Sequence, residues 1–368
     1  MAARQNQRCI GALMNPSTDC IDCKACMKGC LMMGEFTDSP KTLLEKIKES
    51  PADMAFSCAA CGYCTHVCPK DISIEEYFVK RKVELAPTEL KNYGYRAVLF
   101  HQVLSFSKPF TTIKKFRTND YSHMAFMPGC ALSSYSPQLV KSIITHLQEK
   151  LPGINVLMQC CGKPMRVVGD MERFEGYYGL LENDIARLGV DTVVTACENC
   201  YMSLKTLSPH VKTKSLYEVL AEAGVPEKDF SHVSPVALHD PCPTRHEKPL
   251  HEAVRKILRD MKLEFKEFKY NRDKTQCCGS GGMLALTNPK LSREQMVSRA
   301  NQTDCETIVS YCQECCHSMS RGGKNGVHVL DLLFDDGIGT SMTQTKLTTI
   351  SSWLNRYKTK RMITKLKG

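Results

Sequence analysis

Apolar positions along the chain follow two rhythms. Met171, Phe174, Tyr178, Leu181, Ile185 and Leu188 recur every three or four residues, which is the period of one helix face. The run Asp191–Thr195 that follows is short and β-branched, as a buried strand requires. A matching run, Ile308-Val309-Ser310-Tyr311, occurs more than a hundred residues later. Leu216-Tyr217-Glu218-Val219-Leu220 lies beyond the first run, and Leu330-Asp331-Leu332-Leu333-Phe334 beyond the second. The alternation predicts α/β units, each around a small parallel sheet. Thr42-Leu43-Leu44-Glu45-Lys46-Ile47-Lys48 reads as helix. Tyr93, Tyr95, Leu99, Phe100, Val103, Leu104 and Phe106, set among basic residues, read as an amphipathic helix.

The cysteines show that the two rhythms are two copies of one unit. Copy one has Cys130, then Cys160-Cys161-Gly162, then Cys197-Glu198-Asn199-Cys200. Copy two has Cys242, Cys277-Cys278-Gly279 and Cys312-Gln313-Glu314-Cys315. Gaps of 30 and 35 residues lead to the Cys-Cys pairs, and gaps of 36 and 34 to the CxxC motifs. Pro128-Gly129-Cys130 parallels Asp240-Pro241-Cys242, and each CxxC directly follows a strand-like run. Each CxxC should therefore sit at the carboxyl end of a strand, where open α/β sheets hold their ligands. The divisions expected are 1–90, a connector 91–123, the repeats 124–235 and 236–340, and a tail 341–368.

Residues 1–90 carry nine of the 21 cysteines, eight of them in two strings. These are Cys20-x2-Cys23-x2-Cys26-x3-Cys30 and Cys58-x2-Cys61-x2-Cys64-x3-Cys68-Pro69, the spacing of a two-cluster bacterial ferredoxin. In such strings the fourth cysteine serves the other cluster. The expected ligands are Cys20, Cys23, Cys26 and Cys68 for one [4Fe-4S] cluster, and Cys58, Cys61, Cys64 and Cys30 for the other. Two four-cysteine zinc sites are the alternative, and identical double strings fit zinc poorly. The long segment 31–57 indicates a helical variety of the module.

Charge redraws the ends of the chain. The net +10 is exceeded by the connector (six basic, one acidic) and the tail (seven basic, none acidic) together, at +12. The cysteine-bearing body is near neutral, which argues against a nucleic-acid interface. The connector and tail are candidate contacts for a membrane surface or an acidic partner. Alternatively, the connector packs over the junction of the halves and the tail is solvated. The longest stretch without Asp, Glu, Lys or Arg, 121–140, holds two prolines, a glycine and four serines, so it is no membrane span. The opening residues lack an apolar signal region. A cytoplasmic protein is expected, and in that compartment many cysteines point to metal and not to disulfides.

The segments FMPGC (126–130), QCCGKPM (159–165), TACENC (195–200), LHDPC (238–242), QCCGSGGM (276–283) and SYCQEC (310–315) resemble the CCG domain of the heterodisulfide reductase family. With the ferredoxin strings in front, the chain resembles a fusion of that family's ferredoxin-like and CCG-bearing subunits. The resemblance covers about residues 15–335 and implies one noncubane [4Fe-4S] cluster per copy, each with five cysteine ligands. These are Cys130, Cys160, Cys161, Cys197 and Cys200, and Cys242, Cys277, Cys278, Cys312 and Cys315. It further implies that electrons from a flavoprotein or hydrogenase-type partner pass to the paired clusters, where a small disulfide is cleaved, with Cys161 and Cys278 central. Similar chains relay electrons from flavin-dependent 2-hydroxyacid or glycerol-3-phosphate dehydrogenases toward a quinone.

Gly162 and Gly279 are expected to let the backbone pass close to the clusters. Cys9, Cys305 and Cys316 are left over as free or buried thiols. Gly279-Ser280-Gly281-Gly282 lacks the Lys-Ser/Thr of a phosphate loop and reads as a tight turn. No GxGxxG follows a strand, so no flavin or nicotinamide is expected in this chain. His239 and Asp240 flank a ligand loop as proton relays or, for Asp240, a turn residue. His317 and His328 are expected to be structural. Arg166 and Arg245 are candidates for binding an anionic substrate or for balancing cluster charge.

Overall fold

The strands of the protein, a computed structural model describing residues 16–116, 120–334 and 348–366, form two sheets. Cys9 and Lys367 lie outside the described residues. The first sheet has the order β1-β3-β2-β4-β5, and the second β7-β6-β8-β9. Their strands are β1 (Thr112–Lys114), β2 (Met124–Met127), β3 (Asn155–Met158), β4 (Thr192–Thr195), β5 (Lys212–Ser215), β6 (Val236–His239), β7 (Phe265–Glu267), β8 (Thr307–Ser310) and β9 (Asn325–His328). Apart from β1, which pairs antiparallel with β3, every pairing is parallel. Reading β6 for β2, β7 for β3, β8 for β4 and β9 for β5, the two copies have the same strand order. Helices cover both faces of the central strands, which is why β2, β3, β4 and β6 are buried at every position.

Local signals set the helix ends. Asp170 accepts from the Arg173 amide to start Met171–Leu188, and Gly189 ends it in the left-handed region at φ 68°. This helix buries Phe174, Tyr178, Leu181, Ile185 and Leu188, the stripe read from its period. A fully buried aliphatic side chain in such a stripe contributes about 1.5–3 kcal/mol. Ser215 and Glu218 form a capping box at Leu216–Ala223.

The repeats share a core. Phe126 and Val194 of copy one, and Leu238, Val309 and Val327 of copy two, belong to one buried apolar cluster. Across this junction the Tyr217 hydroxyl donates to the Tyr311 carbonyl (3.0 Å), and the Tyr135 hydroxyl to Asp331 Oδ2 (3.0 Å).

The connector is more than a linker. Its helix Tyr95–Phe106 packs beside the helix Lys163–Val168, and β1 extends the first sheet. The tail differs from a solvated segment over its described part. The helix Thr349–Thr364 lies along copy one, where Arg356 is buried. Arg356 donates to the Phe110 carbonyl, the Ser105 carbonyl and Ser105 Oγ, and Thr359 donates to the Ser133 carbonyl. Carbonyls, not acidic side chains, receive this basic segment. Lys358, Arg361 and Lys365 remain exposed.

The N-terminal module consists of short helices and turns closed by the helix Ile74–Glu89. It docks on both copies. Lys82, fully buried, donates to the Cys58 carbonyl (2.6 Å) within the module and to the Val167 carbonyl (3.3 Å) of copy one. Arg245 of copy two donates to the carbonyls of Cys61 (3.0 Å), Thr275 (2.8 Å) and Asp273. Gly282 sits at φ 63°, where an added Cβ would lie 2.5 Å from the Cys58 carbonyl oxygen. The Gly281-Gly282 pair is thus a close backbone contact between domains, consistent with a tight turn.

Candidate metal centres

In each copy the cysteines follow three adjacent parallel strands. Cys130 comes after β2, Cys160 and Cys161 after β3, and Cys197 and Cys200 after β4. Cys242, Cys277-Cys278 and Cys312/Cys315 are placed in the same way after β6, β7 and β8. Parallel strands present their carboxyl ends at one edge, so five sulfurs converge there. Cys160 Sγ is 3.9 Å from Cys130 Sγ, and Cys161 touches both Cys160 and Cys200, which in turn contacts Cys197. In copy two, Cys278 Sγ is 3.4 Å from Cys315 Sγ and also touches Cys277, which contacts Cys242, while Cys312 contacts Cys315. Cys161 and Cys278 therefore occupy the same central place in their sets. Both thiols are held well below the usual range, because each accepts from its preceding cysteine and from the last cysteine of the CxxC.

The ferredoxin-like strings cross over. Cys20, Cys23, Cys26 and Cys68 line one hollow, while Cys30, Cys58, Cys61 and Cys64 line another. Burial pushes the Cys26 and Cys58 thiols up to about 11. A copy-two residue, Cys277, also lines the second hollow. Its thiol donates to Cys61, lowering that thiol to about 7, with Arg245 adding to the effect against burial.

The two five-cysteine sets approach one another. Glu198, between the cysteines of the first CxxC, is buried and reaches Cys312 of the other copy. Burial, and then the Cys197 charge, hold its carboxyl well above the usual range. Lys163 feels the Cys161 and Cys242 thiols together, and burial followed by Arg166 depresses its ammonium. The helix Lys163–Val168 packs directly on the turn Gly281–Met283. Met165 is fully buried there, and Met283 packs into the copy-one core. The helix after Cys161 and the turn after Cys278 are thus in contact, and in place of the open cavity expected there, lined by Pro164, Met165, Gly281 and Met283, Met165 is fully buried in the packing between the copies.

Other candidates resolve by their partners. Asp240 is saturated by Arg255 Nη1 (3.0 Å) and Nη2 (2.8 Å), the Arg272 amide (2.7 Å) and the Tyr311 hydroxyl (2.9 Å). It anchors the ligand loop. Arg245 ties domains together through carbonyls, while Arg166 lies over Phe174 (5.6 Å to the ring centroid). His328 is buried, with its ring accepting from the Leu330 amide, and His317 meets Gln313. Gly162 (φ 70°) and Gly279 (φ 102°) make left-handed turns where an added Cβ would meet Phe174 and Met296, and the Gly279 amide donates to Cys277 Sγ (3.3 Å). Gly129 also approaches the sulfurs closely: its Cβ would lie 2.8 Å from Cys197 Cβ and 3.6 Å from Cys200 Sγ. Cys305 stands apart beside Asp304, and Cys316 donates to the Val327 carbonyl (3.3 Å).

Sequence reasoning missed Lys82, Lys163, Glu198 and Arg356. It also missed Gln102, whose amide points at Cys160 Sγ (3.8 Å). Only Glu198, inside a CxxC, carried a signal by position.

Residues 124–205 and 236–320 match the model of the cysteine-rich CCG domain, and residues 19–73 that of the 4Fe-4S dicluster domain. The chain thus carries a 4Fe-4S dicluster domain followed by two CCG domains, the domain set of heterodisulfide reductase-like iron–sulfur proteins. It is 28% identical to an uncharacterized iron–sulfur protein of Methanococcus maripaludis, over 80% of this chain and 66% of that one. It is 24% identical to a fumarate reductase (CoM/CoB) subunit of Methanothermobacter marburgensis, over 85% of this chain and 70% of that one. The glycolate oxidase iron–sulfur subunit of Escherichia coli is 21% identical over 88% of this chain and 94% of its own. The chain thus spans about two-thirds of the length of these archaeal relatives. It is an iron–sulfur electron-transfer protein, an oxidoreductase component. No helix among the described residues is long and apolar enough to cross a membrane.

Proposed function

We propose that two cubane [4Fe-4S] clusters in the N-terminal module feed a pair of noncubane clusters, one per CCG copy, and that the pair reduces a small disulfide. The donor sets fit these groups: four sulfurs around each hollow, and five contiguous sulfurs at each sheet edge. Ten buried or half-buried thiols in mutual contact are costly to ionise without a cation among them, and iron supplies it. When bound, the clusters supply one-electron storage.

The observation that carries the reading is the convergence of the two sets, with Glu198 of one touching Cys312 of the other. Cleavage of R–S–S–R′ to two thiols consumes two electrons and two protons, so paired one-electron sites suit it. The electrons come from a partner reductant of the flavoprotein or hydrogenase type. The chain's residues fix the path. Cys61 against Cys277 makes copy two the point of entry, and the Glu198–Cys312 contact continues to copy one. Cys161 and Cys278, central in their sets, are the cysteines assigned to the reacting pair.

A relay toward a quinone, serving a flavin-dependent dehydrogenase, is the second reading. Burial favours it, since Cys161 and Cys278 are only 3% and 4% exposed. The match to the glycolate oxidase subunit over nearly its whole length also favours it.

Anaerobic protein should hold four clusters, two of each type, by iron and sulfide analysis and by Mössbauer spectroscopy. Dithionite-reduced protein should cleave hydroxyethyl disulfide, and Cys161→Ala or Cys278→Ala should abolish cleavage while the cubane signals still reduce. Four reducible clusters without disulfide cleavage would leave the relay.

A further inference from the structure

The two CCG copies match in cysteines and strand order, but differ three residues before the first cysteine of each set. Copy one ends β2 with Met127, which is fully buried and carries no N–H or O–H donor on its side chain. Copy two ends β6 with His239, also fully buried. His239 Nε2 has no hydrogen-bond partner, and the ring places a nitrogen within 4.8 Å of both Cys278 Sγ and Cys315 Sγ, with Cys278 in side-chain contact.

The state of Nε2 follows from the other side of the ring. Arg299 Nε (3.3 Å) and Nη2 (3.2 Å) both address His239 Nδ1. A guanidinium has donors only, so Nδ1 must be the acceptor. A neutral imidazole with a free lone pair on Nδ1 carries its hydrogen on Nε2. Arg299 cannot turn away. Its Nη2 also donates to the Tyr270 carbonyl (2.8 Å), Nη1 donates to Gln302 (2.6 Å), and the guanidinium lies over the Phe268 ring at 4.1 Å. An Nε2–H has no lone pair for iron, but it is a buried donor in need of an acceptor, and sulfur is what it faces.

We infer that His239, locked by Arg299, is a positioning residue that donates N–H···S to the Cys278 or Cys315 side of the copy-two cluster, giving that cluster a higher reduction potential than it would have without the bond. The inference rests on the five-cysteine reading of each copy. Hydrogen bonds to cluster sulfur stabilise the more negative, reduced form. Copy two is also the copy against which Cys277 meets Cys61, so the bond acts on the cluster placed at the point of entry.

The test uses the full chain with all clusters loaded and [15N]histidine incorporated. Pulsed EPR on the reduced copy-two signal should show a weak 15N coupling and an exchangeable deuteron coupling in D2O. Both should vanish in His239→Met, which installs the copy-one residue, and the midpoint potential of that signal should fall with iron content unchanged. Arg299→Lys, which keeps the charge but loses the fork, should give a smaller shift in the same direction. A strong 15N coupling, or loss of iron in His239→Met, would make His239 a ligand and overturn the inference. An unchanged potential in both variants would also overturn it. If Cys278→Ala leaves iron content intact, the five-cysteine reading itself fails, which is a different result.

Discussion

Copy one and copy two are the same scaffold in different surroundings. Their strand orders agree, and their five sulfurs leave the same three strands. Copy one is closed off by β1 and by the C-terminal helix, with Arg356 buried near the Cys130 and Cys160 thiols. Copy two receives the N-terminal module on its ligand loop, through Arg245, Gly282 and Cys277. Its first-cysteine loop is held by the buried Asp240–Arg255 pair, whereas copy one has Pro128 in the place of Asp240. Duplication supplies the sulfur geometry, and the elements added around each copy set the module's second hollow against copy two and the tail helix against copy one.

The largest effect expected is the loss of a whole centre. Cys277→Ala should remove the copy-two cluster and slow reduction of copy one, while Cys160→Ala should remove only the copy-one cluster. Rapid-freeze EPR compares them, and equal slowing in both would break the assigned order. Next, Asp240→Ala leaves Arg255 with only the partly exposed Glu267 as a carboxylate partner, and should destabilise the fold by about 3–5 kcal/mol in urea unfolding. Pro128→Ala in copy one should cost far less. Lys82→Met, which empties two carbonyl contacts, should cost about 1.5–3 kcal/mol and loosen the module from copy one, as hydrogen exchange around Val167 would report.

Acid sharpens the same contrast. Burial raises the Asp240 carboxyl, but the hydrogen bonds and charge of Arg255 outweigh it, so its folded value lies below the usual one. Its contribution is complete above the unfolded value of about 4 and is lost as pH falls through the lower folded value. Stability measured down through that window should fall more steeply in the native protein than in Asp240→Asn. The smallest effect is expected at the spare thiols. Cys305→Ser and Cys316→Ser should leave every cluster signal unchanged and cost no more than about 1 kcal/mol, since a hydroxyl in place of the Cys316 thiol keeps a donor for the Val327 carbonyl.

The repeat was legible because cysteine spacing and strand-like runs recur together, and the parallel sheets followed from the helix–strand alternation, but the strand order did not. The crossed sharing of Cys30 and Cys68 was legible from spacing alone. The environment of the copies was not. Lys82 and Arg356 sit in runs of basic residues that read as solvated, and only tertiary contact shows that carbonyls await them. The three residues of β1 are too few to carry a periodic signal. Gly162 and Gly279 were assigned to the metal because they adjoin its cysteines; Gly279 does donate to Cys277 Sγ, and both turns also pack on helices, which the sequence did not show.

The second hollow of the N-terminal module has a wall that is synthesised late. Cys30, Cys58, Cys61 and Cys64 are complete within the first strings, yet Cys277, Leu284, Leu291 and Gln295 also line that hollow. The first hollow is lined entirely by residues up to Ile74. On a chain growing from its N-terminus, the first site can be loaded and shut while most of the protein has yet to emerge. The second stays open to the machinery that delivers iron and sulfide until copy two folds over it. On the proposed assignment, the second hollow would therefore be completed after the first, when copy two packs against it.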